Sequence, residues 1–125
     1  MTPSRHPRQD ESRIQKACVR WFRLAYHRLA PLLFAVPNGG ARDAVTGARL
    51  KAEGVYPGVA DLLLLVPANG FHGAAIEMKT PTGRLSASQK QWRDAVIHAG
   101  YAHYICRSVS DFVNIINSYL DNYGN

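Results

Sequence analysis

The sequence predicts an α/β fold, in which a mixed β-sheet is flanked by helices. Segments with apolar residues at helical spacing alternate with apolar runs of strand length. Two of these runs flank a four-residue turn, which is typical of an antiparallel hairpin. A helical segment then leads to a further strand, and such a crossover joins parallel strands.

The chain divides into elements of ordinary length, with turns between them. The predicted elements are a helix over 10–30, a strand over 32–36, a short helix over 42–53, strands over 60–66 and 74–79, a helix over 86–99, a strand over 101–106, and a helix that begins near Ser108 or Ser110.

Residues with special backbone preferences set several of these boundaries. Pro31 ends the first helix because it lacks an N–H and clashes with the preceding turn. Gly54 and Gly100 follow predicted helices, where glycine is a common terminator. Ser86 precedes a helix and can cap its free N–H groups.

The length and composition predict one domain. The chain has 125 residues, and its 46% apolar content excludes a disordered protein. We assign residues 1–9 to a disordered tail and residues 10–125 to the domain. No apolar run approaches the roughly 20 residues needed to cross a bilayer, and no signal peptide is apparent. The two cysteines lack a CxxC partner, which favours a reduced, cytoplasmic protein.

Positive charge is concentrated in the first half of the chain. Residues 1–51 hold ten of the fifteen Lys and Arg residues and three of the nine acids. Such a basic half is typical of nucleic-acid binding, although a small basic protein with another function has the same composition. No Walker loop or dinucleotide fingerprint is present, so we expect no nucleotide cofactor.

Three charges interrupt the two strands of the predicted hairpin: Asp61 in the first, and Glu77 and Lys79 in the second. A charge in a buried strand is costly unless it is paired or binds an ion. If the hairpin turns near Asn69, Asp61 lies opposite Glu77, and Lys79 shares the face of Glu77. Two facing carboxylates repel each other, but together they suit a hard cation such as magnesium.

This pattern has a plain structural alternative. Glu77 and Lys79 would then form a solvated pair on an edge strand, and Asp61 would be a turn residue at the strand entry. We favour the metal site because the strands are short, apolar and internal in the predicted sheet.

The sequence resembles the virus-type replication-repair nuclease (VRR-NUC) domain of the PD-(D/E)xK nuclease superfamily, over about residues 11–120. The pieces that carry the resemblance are Glu11 with Gln15, Pro37-Asn38-Gly39-Gly40, Lys51-Ala52-Glu53-Gly54, Pro57-Gly58-Val59-Ala60-Asp61, Glu77-Met78-Lys79, and Gly83-Arg84-Leu85-Ser86 followed by Gln89 and Trp92. One departure is Ala60, where the family usually has a proline before the aspartate.

The resemblance implies a restriction-endonuclease-like core of αβββαβ order and assigns roles to its residues. Asp61, Glu77 and the Met78 carbonyl would bind Mg²⁺ or Mn²⁺, and Lys79 would be the catalytic lysine. Glu11 and Gln89 would complete the catalytic set. Glu11 has the alternative role of a helix-start acid, and Gln89 that of the last residue of a capping box begun by Ser86.

The implied function is a metal-dependent, structure-selective DNA endonuclease that acts on branched DNA such as Holliday junctions in repair or recombination. A homodimer is also implied, and Tyr119 and Tyr123 are candidate interface anchors. A phage origin, and thus the cytoplasm of a bacterium or infected host, fits a short basic member.

The candidate DNA contacts are Asn38, Gly39, Arg42, Lys51 and Arg84. A turn or a solvated surface is the alternative reading of these residues. The competing functions are a non-catalytic DNA-binding module and an RNA-processing nuclease.

Overall fold

The computed structural model describes residues 7–37 and 44–123, and it has the predicted α/β architecture. Its elements are helix α1 (Pro7–Ala25), a 3-10 helix (His27–Leu32), strand β1 (Leu33–Ala35), helix α2 (Ala44–Ala52), strands β2 (Leu62–Leu64) and β3 (Ala74–Met78), helix α3 (Ala87–His98), strand β4 (Ala102–Cys106) and helix α4 (Val109–Tyr119).

The four strands form one mixed sheet in the order β1-β2-β3-β4. Strand β2 is antiparallel to both β1 and β3, whereas β3 and β4 are parallel and are joined by the α3 crossover. This arrangement confirms the mixed sheet and the helical crossover that the sequence predicts. It also makes β3 internal, so that the charged end of β3 lies inside the fold.

The hairpin between β2 and β3 has the predicted register. Leu62 pairs with Ile76, which places Asp61 opposite Glu77 by extension of the ladder. The turn residues Asn69 and Gly70 have φ values of 53° and 85°. Positive φ at both positions matches the right-handed twist of a hairpin and favours the Asn-Gly pair.

The main core lies between the sheet and helices α1 and α4. Phe22 of α1, Leu62 and Ile76 of the sheet, and Phe112 of α4 are fully buried there. Tyr119 is also buried, and its hydroxyl donates a hydrogen bond to the carbonyl oxygen of Val66 at 2.7 Å. Tyr119 therefore belongs to the core of its own chain and is not available as the interface anchor that we predicted.

The first helix differs from the prediction at both ends. It begins at Pro7, so residues 7–9 belong to α1 and not to the predicted tail, whose remaining residues lie outside the described part. It ends at Ala25, and a 3-10 helix containing Pro31 leads into β1. Tyr26 has non-helical backbone angles (φ −127°, ψ 55°), and its ring stacks on Phe22 with ring centroids 5.5 Å apart.

Within residues 7–37 and 44–123, no helix combines the length and the apolar character required to cross a membrane.

Candidate active site

Asp61 is placed where strand β2 separates from strand β3. The ladder between these strands ends at Leu62, and Asp61 continues on the β1 side, where its carbonyl accepts from the Val36 N–H at 2.9 Å. Its side chain turns to β3, and Oδ2 accepts the Met78 N–H at 2.7 Å. The carboxylate thus satisfies a backbone donor that the shortened ladder leaves open, and it is held beside Glu77.

Among the described residues, Glu77 is the charged residue that is buried, and only 3% of its surface is exposed. Oε1 accepts a hydrogen bond from Gln89 Nε2 at 3.0 Å. Oε2 is buried and has no hydrogen-bond partner among the described residues. An unsatisfied buried carboxylate oxygen is costly, so this atom requires an explanation such as a bound ion or water.

The surroundings of Glu77 strongly disfavour its charged form. Burial, reinforced by the adjacent Asp61 carboxyl, raises the pKa of Glu77 from its ordinary value of 4.5 to about 8. The positive charge of Lys79 opposes this shift, and Glu11 adds a smaller increase. The metal-free site therefore favours a protonated Glu77 at neutral pH.

Glu11 and Lys79 lie near the carboxylate pair, as the sequence predicts. Both are half-buried, and both influence the pKa of Glu77 through their charges. Lys79 follows the last residue of β3, and its N–H donates to the Cys106 carbonyl at 2.9 Å. Glu11 faces inward from α1, on the same side of the helix as the buried Cys18.

Gln89 makes both of the contacts that the sequence offered as alternatives. Its Oε1 accepts the Ser86 N–H at 2.8 Å, and the Ser86 hydroxyl accepts the Gln89 N–H at 3.2 Å, which completes a capping box at the start of α3. Its Nε2 is left free to reach Glu77. A single amide therefore fixes the helix start and orients the buried carboxylate.

The Pro57-Gly58 turn is packed closely against the beginning of α3. Gly58 has a φ of 86°, which side chains rarely adopt. A Cβ atom there would overlap the carbonyl of Ser88 and approach the Gln89 nitrogen to 2.9 Å. Glycine at this position thus lets the loop before Asp61 and the helix that carries Gln89 meet backbone to backbone.

The sequence did not single out Arg107, although the structure connects it to the site. Its Nη1 donates to the carbonyls of Thr80 and Gly83, each at 2.7 Å, and of Pro81 at 3.4 Å. This side chain therefore holds the turn that follows Lys79. A lone arginine between a strand and a helix gives no sequence signal for such a role.

The predicted DNA contacts are only partly described. Lys51 at the end of α2 and Arg84 in the segment before α3 are exposed, but neither touches the carboxylate pair in any described contact. Asn38, Gly39 and Arg42 lie outside the described residues. The proposed role of these five residues remains a prediction.

The carboxylate pair would supply only part of the ligands that a metal ion requires. Across the described ranges, no three His, Cys, Asp or Glu side chains lie close enough together to hold an ion by themselves. An ion between Asp61 and Glu77 would thus need further oxygen atoms from backbone, water or substrate. Magnesium commonly binds in this way, through one or two carboxylates, several waters and a phosphate. The free, buried Glu77 Oε2 fits such an ion.

Comparisons with known proteins bear on the fold and the family. A search of the curated proteins finds no similar sequence. A solved structure of a VRR-NUC domain protein superposes with a TM-score of 0.74 at 20% identity, covering 88% of this chain and 87% of the other. At this identity the likeness concerns the fold. The family model of the VRR-NUC domain matches residues 9–110, and the chain therefore belongs to the VRR-NUC family of nuclease-type domains.

Proposed function

We propose that this protein is a metal-dependent endonuclease that hydrolyses phosphodiester bonds of branched DNA, such as Holliday junctions in repair or recombination. Membership of the VRR-NUC family supports a nuclease-type function that acts on DNA. The observation that carries the proposal is Glu77 Oε2, which is buried and unsatisfied beside a second carboxylate. A protein that used this fold only to bind DNA would gain nothing from such a costly pair.

Mg²⁺ or Mn²⁺ is the cofactor of the proposed reaction, and Asp61, Glu77 and the Met78 carbonyl are its proposed ligands. When bound, the cation would supply Lewis-acid stabilisation of the phosphate charge and lower the pKa of a water molecule. Asp61 is prepared for this role by the Met78 N–H, which fixes its orientation. Gln89 similarly holds Glu77 through Oε1 and leaves Oε2 available.

The other site residues act on charge and position. Lys79 places a cation next to the carboxylates, where it can stabilise the charge that develops on the phosphate or orient the attacking water. Glu11 adds negative charge at the edge of the pair and is a further candidate for positioning the water. Arg107 keeps the turn after Lys79 in place through its backbone carbonyl contacts.

The proposed substrate and assembly rest on the family resemblance and on charge. The basic half of the chain favours a polyanion, and a homodimer with two sites would suit a junction that is cut at two places. The proposed location is the cytoplasm of a bacterium or of a phage-infected host. Lys51 and Arg84, together with Asn38, Gly39 and Arg42, are the proposed DNA contacts.

A cleavage assay on labelled linear, flapped and four-way DNA, with matching RNA, tests this function. Wild type should cut branched DNA in Mg²⁺ or Mn²⁺ and be inactive in chelator. Asp61→Asn should reduce the rate by at least about a hundredfold while DNA binding is kept, because it removes a charged ligand but preserves shape. Asp121→Asn, at an exposed position of the C-terminal turn, is the matched control and should cut normally.

Lys79→Ala separates catalysis from metal binding. It should lose cleavage while Mn²⁺ binding, measured by calorimetry, persists, since both carboxylates remain. Cleavage at the wild-type rate by either site variant would show that the site is wrongly assigned. Tight binding of branched DNA with no cutting in either metal would favour the non-catalytic module, and preferential cutting of RNA would favour the RNA-processing nuclease.

A further inference from the structure

The exposed side of α1 carries a narrow row of positive charge. Its members are Arg13, Lys16, Arg20 and Arg23, which are all exposed. With 3.6 residues per turn, these four positions fall within a sector of about 80° of the helix circumference. We call this row the α1 stripe. No acid lies within its sector; Asp10 is one turn before Arg13, at the edge of the stripe.

The α1 stripe faces away from the candidate active site. Glu11, Cys18 and Phe22 occupy the other side of the same helix; the last two are fully buried, and Glu11 influences the pKa of Glu77. A helix with its side chains is about 10–12 Å across, so the width of α1 separates the stripe from the carboxylate pair. The same stretch of DNA backbone does not reach both without bending around α1.

We propose that the α1 stripe binds a second segment of the nucleic-acid backbone, outside the cleavage site. This inference rests on the proposed function and specifies how a branched substrate is held. From Arg13 to Arg23 the helix rises about 15 Å, which matches the axial span of about four phosphates on one strand of B-form DNA. A duplex arm other than the one being cut is a segment of the required length and charge.

Comparison with α3 distinguishes the stripe from an ordinary solvated helix face. The surface of α3 mixes charges of both signs, and Arg93 Nε there contacts Asp94 Oδ1 at 3.0 Å. The stripe instead has four cations at successive turns. Beside it runs a shallow groove lined by Lys16, Ala17, Arg20, Trp21 and Leu24, and Leu24 is 76% exposed.

The partner that competes with nucleic acid is an anionic membrane surface. A helix that lies in a membrane interface inserts its apolar face among the lipids. The apolar face of α1 is already occupied by the protein core, where Cys18 and Phe22 are fully buried. Beside the stripe, Leu24 is the large apolar side chain of α1 that remains exposed, which is far less than the apolar face that an interfacial helix inserts. A phosphodiester backbone needs no apolar insertion.

The test compares two triple variants with the same change in net charge. The stripe variant is Lys16→Gln, Arg20→Gln and Arg23→Gln. The control variant is Arg28→Gln, Arg49→Gln and Lys90→Gln, which also removes three exposed cations. Glutamine has nearly the helix propensity of lysine and arginine, so both variants should melt like wild type. Binding to a four-way DNA junction is measured in chelator across a range of salt concentrations.

The stripe variant should bind the junction at least tenfold more weakly, and the slope of log K against log salt should fall by about 2–3, since each phosphate contact contributes about 0.9. The control should change the slope by less than about 1. Equal losses in both variants would overturn the proposal by showing a bulk charge effect. Loss of binding to phosphatidylserine vesicles with unchanged junction binding would also overturn it. If wild type binds but never cuts, a stripe-specific loss still supports the inference while the proposed nuclease activity fails.

Discussion

At the residue scale, Glu77 determines how the metal-free protein responds to pH. Its pKa is raised in the folded state, from 4.5 to about 8, so the folded chain holds a proton that the unfolded chain has released between these values. The contribution of Glu77 to the free energy of unfolding is therefore fully present below about pH 4.5 and is lost as the pH rises through about 8. Thermal melting in chelator from pH 5 to pH 9 should show a decreasing melting temperature.

Glu77→Gln should flatten this pH dependence, because the amide has no proton to release. Asp121→Asn, at an exposed position of the C-terminal turn, should leave the decline unchanged and serves as the control. Adding Mg²⁺ to wild type should offset the decline at high pH, since the cation binds the ionised pair. A wild-type melting temperature that stays constant across the range would contradict the assigned environment of Glu77.

The site residues differ in how far the sequence could predict them. Asp61, Glu77 and Lys79 stand out because charges are rare in apolar strands, and the hairpin register brings them together as expected. Arg107 could not be recognised, because its partners are backbone carbonyls 24 and 27 residues away in sequence. Every residue has a backbone carbonyl, so a contact of this kind does not depend on the residue type of the partner and cannot be predicted from it.

At the scale of elements, capping serines and glycines predicted several helix ends correctly. Ser86 caps α3 as predicted, Ser108 is the one of the two candidate serines that caps α4, and Gly100 follows α3 with a φ of 99°. The end of α1 could not be found from periodicity, because the apolar spacing continues to Leu29 whereas Tyr26 already has non-helical backbone angles. Strand β2 begins later than its apolar run because Asp61 leaves the ladder to β3.

The contact between the Pro57-Gly58 turn and α3 leads to a prediction about this pair of elements. Gly58→Ala should destabilise the protein by at least about 2 kcal/mol, through a strained φ and an overlap with the Ser88 backbone. Cleavage should also fall at temperatures where the variant is folded, because α3 carries Gln89. Urea unfolding and single-turnover cleavage measure the two effects.

Gly47→Ala provides the control for this variant. Gly47 lies inside α2, and nothing is within 4 Å of the added Cβ. Alanine is the better helix former, so this change should stabilise the protein by about 0.5–1 kcal/mol without affecting cleavage. If Gly58→Ala were as stable and active as Gly47→Ala, the close packing of the turn on α3 would be incorrect.

At the scale of the whole molecule, we predict a homodimer. The resemblance implies one, and apolar side chains remain exposed on the α3 side of the sheet: Phe34 in β1 is 39% exposed and Leu65, just after β2, is 52% exposed. Exposed apolar patches of this kind often mark interfaces. Sedimentation at micromolar concentration should give twice the chain mass of 13.8 kDa. A species of 13.8 kDa, with or without junction DNA, would contradict the prediction.

Gln89 imposes a dual constraint on any effort to change this protein. The amide of Gln89 both caps the start of α3 and holds Glu77. A substitution there would therefore change the stability of the helix and the orientation of the carboxylate together, and a cleavage rate alone would not separate the two effects. Glutamate would keep an acceptor for the Ser86 N–H but bring a third carboxylate to the pair, whereas methionine would remove both interactions. At Lys79 and Glu11 the described contacts give the side chain no second structural role, so a change in rate there reports on the site alone.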